Sequence, residues 1–99
     1  MNSLNDLDYK NGTIAKKIIY NSETGTVLEL AFETGTGLDM HTAPGDVVVQ
    51  VLEGEIIFTV EDVENRMKTA DYIVLKAGVE HSLKAVSRAK ILVSKFLKP

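Results

Sequence analysis

The chain has two imidazoles, His41 and His81, and they are the residues best able to do chemistry. A neutral imidazole offers one donor and one acceptor, and its unprotonated nitrogen is a common ligand for divalent metals. His41 opens the stretch "HTAPGDVVVQVLEGE", in which a Pro-Gly turn leads into an apolar run that ends in Glu-Gly-Glu. Three roles are open to it: a metal ligand with partners elsewhere in the chain, a donor in a binding site, or a polar remnant in a cavity. There is no cysteine, which excludes disulfides, thiolate zinc sites and cysteine nucleophiles. Ser82 adjoins His81, but neighbours on a strand point to opposite faces, which argues against a nucleophile–base pair.

The elements that must position these groups are short strands. Period-2 stretches rich in β-branched and aromatic residues run over 14–20, 26–33, 46–53, 55–61, 71–76, 81–87 and 90–97, with a further short one over 63–68. Turn chemistry separates them: Thr24-Gly25, Thr34-Gly35-Thr36-Gly37, Pro44-Gly45, Gly54, Glu61-Asp62 and Ala77-Gly78. This spacing predicts an all-β antiparallel sandwich or small barrel. Residues 1–12 are polar and read as an N-terminal arm, loose or with a single helical turn. In 46–53, Val47, Val49 and Val51 face one way and Val48, Gln50 and Leu52 the other. Both faces are largely apolar, so a second layer is expected outside the sheet, and a homodimer would supply it.

With 99 residues there is room for one domain, which buries roughly 60–70% of its unfolded surface in a single core. A hydrophobic fraction of 44% and a charged fraction of 25% are those of an ordinary globular protein. The net charge of −3, with dispersed lysines, argues against nucleic acid as a partner. No apolar run reaches the length of a membrane span, and the N-terminal stretch lacks a signal-peptide core; the expected location is cytoplasmic.

Residues 25–96 carry a resemblance to a known family. Gly35, five residues on to His41, and Gly54 at the close of "VLEGE" follow the first motif of small single-domain cupins. "ADYIVLKAGVEHSLKA" keeps Asp71, Gly78 and His81 in step with the second. The resemblance implies an antiparallel jelly-roll barrel with His41 and His81 at its mouth, where the family places a metal held by three histidines and a glutamate. Here Ala43 stands at the second histidine of the first motif and Val47 at its glutamate, while Ala70, Lys76 and Ala85 replace the Gly, Pro and Asn of the second.

Two histidines are one short of the three-ligand sets of catalytic zinc and non-haem iron. Asp39, two residues before His41, would share its face on a regular strand and is the candidate third ligand. Glu80 should point away from His81, and Met40 suits hard divalent ions poorly. Alternatively the two imidazoles line a small-molecule pocket with Val47, Val49, Val51, Phe58 and Leu83 as apolar walls. Ala43 and Val47 favour that alternative, since each puts hydrocarbon where a donor atom would stand.

The remaining polar signals read as structural. "ETGTG" at 33–37 lacks the Lys-Ser/Thr ending and following helix of a phosphate loop. Glu53, Glu55 and 61–64 form an acidic cluster around an expected hairpin. Tyr9, Tyr20 and Tyr72 suit packing, and Arg66, Arg88 and Lys76 suit solvated positions or a carboxylate clamp. The function expected is binding or sensing of a small molecule. The alternatives are a dioxygenase- or isomerase-like enzyme using iron, manganese, zinc or nickel at His41, His81 and Asp39, and a structural barrel without a ligand.

Overall fold

In the computed structural model residues 1–97 are described. They form nine strands: β1 (Ile14–Ser22), β2 (Gly25–Phe32), β3 (Gly37–His41), β4 (Val47–Glu53), β5 (Glu55–Val60), β6 (Val63–Lys68), β7 (Tyr72–Leu75), β8 (His81–Ala85) and β9 (Ala89–Phe96). They make two antiparallel sheets, one ordered β1-β2-β9-β4-β7 and one ordered β3-β8-β5-β6. The last strand, β9, thus lies at the centre of the larger sheet, between β2 and β4. This is the all-β antiparallel sandwich expected from the alternation, in the jelly-roll form that the resemblance implies.

Alternation sets the core. Leu28, Leu30 and Phe32 of β2, Val47, Val49 and Val51 of β4, and Ile91 and Val93 of β9 point inward to meet Ile56, Phe58, Met67, Leu83 and Ala85 of the smaller sheet. Burying each large aliphatic side chain contributes about 1.5–3 kcal/mol. Two turns show why particular residues stand where they do. Glu61 and Asp62, both at positive φ (48° and 68°), make the two-residue turn between β5 and β6, whose twist matches that of the strands it joins. Gly54, at φ +82°, passes so close to the following segment that a Cβ there would lie 2.0 Å from the carbonyl oxygen of Arg88. Only glycine fits that crossing.

The short strand β3, for which the composition gives little signal, is an edge strand paired with β8, and it carries a bulge. Leu38 pairs with Leu83 and His41 with His81, so three steps along β3 match two along β8. The extra residue lets Leu38 and His41 both face the interior although an odd number of steps separates them.

Residues 1–12 lie against the outer face of the larger sheet. Ser3 caps a 3₁₀ turn (Leu4–Asp6), accepting from the Asn5 amide at 3.1 Å. Lys17 Nζ reaches the Ser3 carbonyl at 3.3 Å. The Tyr9 hydroxyl donates to Glu53, and its ring lies under Arg88 and Lys90, 5.1 and 5.2 Å from its centroid. On the second face of β4, Val48 and Leu52 are half-buried and Gln50 is exposed. No helix among the described residues is long and apolar enough to cross a membrane.

Candidate ligand pocket

The two sheets part at one end to leave a cavity of about 160 Å³. Leu28 and Leu30 of β2, Val47 and Val49 of β4, Ile91 and Val93 of β9, and Phe58 and Leu83 of the smaller sheet form its walls. Ala43 and Pro44 stand at its rim, and its polar residues are His41, Thr42, His81 and Lys95. Of the wall residues expected from alternation, Val47, Val49, Phe58 and Leu83 line it. Val51 does not: one step deeper on the same face of β4, it is packed into the core at 2% exposure.

The register brings the histidines together. As direct partners in the β3–β8 pair, their rings approach edge to face with centroids 4.2 Å apart. His81, 7% exposed, stacks on Phe58 at 5.7 Å, whereas His41 on the edge strand is exposed. Each uses the same local device. The Nδ1 of His41 lies 2.7 Å from the Asp39 carbonyl oxygen, and that of His81 lies 2.9 Å from the Val79 carbonyl oxygen. A carbonyl only accepts, so both Nδ1 atoms carry protons, and in the neutral rings each Nε2 keeps a lone pair for a ligand. Burial, aided by the charges of His41 and Lys95 and opposed by the Val79 bond, holds His81 below the usual imidazole range.

Asp39 does not join them. The bulge removes the regular alternation that would have put it beside His41. Its carbonyl receives the imidazole, while its side chain lines a separate depression with Met40, Ile57, Thr59, Ser82 and Lys84. Among the described residues no group of three or more histidine, aspartate or glutamate side chains could hold a metal ion. Two imidazoles and an ammonium do not fit the three-ligand sets of catalytic zinc or iron.

The sequence reading missed the walls that β2 and β9 supply (Leu28, Leu30, Ile91 and Val93), Leu38 and Thr42, and the one charged lining residue, Lys95. Its signal was the alternation of Ile91, Val93 and Lys95 on β9, which carries the lysine to the inner face opposite Val47. The other polar candidates are used structurally. Glu53 receives Tyr9, Glu55 pairs with Arg66, Glu33 with Arg88 at 2.8 Å, and Asp46 with Lys76 at 3.8 Å. Tyr20 and Tyr72 are exposed.

Residues 23–95 match the family model of the cupin domain. The fold is shared with a cupin superfamily protein from Desulfitobacterium hafniense (17% identity, TM-score 0.90, covering 93% of this chain and 84% of that one). It is shared also with an RmlC-like cupin from Desulfovibrio desulfuricans (23% identity, TM-score 0.85, 97% and 93% covered). A cupin 2 conserved barrel domain protein from Leptotrichia buccalis is 28% identical, with a TM-score of 0.90, over 97% of this chain and 47% of that one. No protein of curated function matches the chain.

Proposed function

This chain belongs to the cupin domain family, and from that premise we propose that it binds or senses a small molecule in the cavity at His41 and His81. The observation that carries this reading is the pairing of a mostly apolar cavity with two imidazoles whose Nδ1 atoms are already satisfied by backbone. Each ring is thereby held in one orientation with one nitrogen to offer. A few placed polar groups on apolar walls are what orient a small ligand. The same walls stand where a metal-dependent relative would need further donor atoms, which favours binding over the metalloenzyme alternative.

Thermal unfolding with a panel of small apolar alcohols, amides and acids tests the proposal. A melting temperature that rises with ligand concentration, as RT ln(1 + [L]/Kd) requires, is the expected result, and His81→Ala should abolish it. Near-stoichiometric iron, manganese, zinc or nickel in the purified protein, lost in His41→Ala, would replace this reading with the metalloenzyme. No ligand response and no metal would leave a structural barrel.

We further propose that two copies pair through the outer face of the larger sheet. Tyr20, Val27, Ser94, Val48 and Val74 form one register row across its five strands. Tyr20, Tyr72, Val74 and Phe96 are more than half exposed there. A stable pair buries about 800 Å² on each partner. Light scattering should give twice the chain mass, and a single-chain mass at all concentrations would remove the dimer.

A further inference from the structure

Taking that cavity as the binding site, we propose that its ligand is a small hydroxycarboxylic acid, with the carboxylate on Lys95, the hydroxyl donating to one imidazole of the His41–His81 pair, and an apolar body against the walls.

The charge of the cavity comes first. Lys95 is its one permanently charged lining residue, and no aspartate or glutamate lines it. Among the described residues the acid–base pairs are Arg66–Glu55, Lys76–Asp46 and Arg88–Glu33; none takes Lys95. The chain as a whole is acidic, at −3, so this positive mouth is a local arrangement and not an average of the surface. One ammonium, with no arginine beside it, suits a single carboxylate better than a phosphate or a dianion.

The imidazoles add a second requirement. With both Nδ1–H groups given to the carbonyls of Asp39 and Val79, each neutral ring keeps one lone pair on Nε2, and the two rings lie with their centroids 4.2 Å apart. A bare carboxylate pressed against them would meet acceptors with acceptors. A hydroxyl on the carbon beside the carboxylate gives its one proton to one of these two nitrogens, while its oxygen can accept from the ammonium. Size is the third constraint. The cavity of about 160 Å³ is close to that of an engineered apolar cavity that accepts benzene, so a body of about four to seven carbons fits. Leu28, Leu30, Val49, Phe58, Ile91 and Val93 would surround it.

The test compares three probes of one shape by titration calorimetry: 2-hydroxy-4-methylpentanoate, its amide, which lacks the charge, and 4-methylpentanoate, which lacks the hydroxyl. The hydroxy acid should bind about ten-fold or more tightly than the amide, the difference made by one hydrogen bond to a charged group, and several-fold more tightly than 4-methylpentanoate, the difference made by a bond to a neutral imidazole. Lys95→Met, which keeps the stem and removes the charge, should erase the preference for acid over amide and leave the affinity for the amide within about two-fold. Equal binding of acid and amide to the unaltered protein would overturn the inference while leaving the pocket reading intact. Equal binding of the two acids would overturn the role given to the hydroxyl. Failure of all three probes to bind would overturn the pocket reading and the inference together. Because the comparison of probes on the unaltered protein decides alone, the result does not depend on the variant folding.

Discussion

The cavity and the outer face of the larger sheet treat enclosed ionisable groups in opposite ways. At the cavity the groups are bases: His81 is nearly buried, yet its Nδ1 is bonded, its ring is stacked on Phe58, and its environment opens toward a mouth. On the outer face the group is an acid. Glu29 is 0% exposed, and neither carboxylate oxygen has a hydrogen-bond partner among the described residues. Lys90 and Lys17 are close enough to act on it only through their charge. Burial is the main cause of displacement in both and drives both toward neutrality, His81 down and Glu29 up. The contrast teaches that enclosure alone marks no site. An imidazole satisfied on one side still has a nitrogen to offer a ligand, whereas an enclosed carboxyl with no partner is a standing cost to the fold whenever it ionises.

Breaking the cavity side should have the largest effect. Phe58→Ala removes a ring from the core and the surface on which His81 stacks, and should cost about 3–5 kcal/mol in chemical denaturation. Relieving the outer side should act in the opposite sense. Glu29→Met keeps the volume and removes the unpartnered carboxyl, and should gain about 1–3 kcal/mol at pH 7, read as a higher denaturation midpoint.

The pH dependence of stability sharpens the contrast. For His81 the folded pKa lies below the unfolded value of about 6.5, so the unfolded chain binds the extra proton. Its contribution is complete above about pH 6.5 and is lost as pH falls through the folded value. For Glu29 the folded pKa lies above the unfolded value of about 4.3. Its contribution is complete below about pH 4.3 and is lost as pH rises through the folded value. Each slope is limited to about 1.4 kcal/mol per pH unit. Denaturation series should show His81→Asn flattening the first and Glu29→Gln the second; unchanged slopes would mean that other groups dominate. The smallest effect expected is that of Tyr9→Phe, which loses the bond to Glu53 but keeps the ring beneath Arg88 and Lys90, for about 0.5–1.5 kcal/mol.

Much of this arrangement was legible in the sequence for a physical reason. Strand alternation is local, and it was enough to place Val47, Val49, Phe58 and Leu83 on one inner surface and to bring out the strand that carries His81, though not the short strand that carries His41. What escaped depended on contacts between distant segments. The bulge in β3 exists only in register with β8, and a single extra residue there turns Asp39 away from His41. Glu29, flanked by Leu28 and Leu30, reads as an ordinary outward-facing polar residue. It is enclosed on the face where the segment carrying Tyr9 lies, far from it in sequence. Lys95 was within reach of the same alternation, but its charge and its exposure near the end of β9 disguised a place on the border of the cavity.

The central place of β9 in the larger sheet has a consequence for how the molecule comes into being. Strands β2 and β4 each pair with β9 and not with one another, so during synthesis they wait, unpaired along those edges, until the last strand has emerged. The same strand brings Ile91, Val93 and Lys95 to the cavity. Pairing across so long a separation is intrinsically slow, and it leaves apolar strand edges open in the meantime. The cavity is therefore among the last features to form. Any small molecule that entered it would meet a finished barrel, and could not guide the chain toward one.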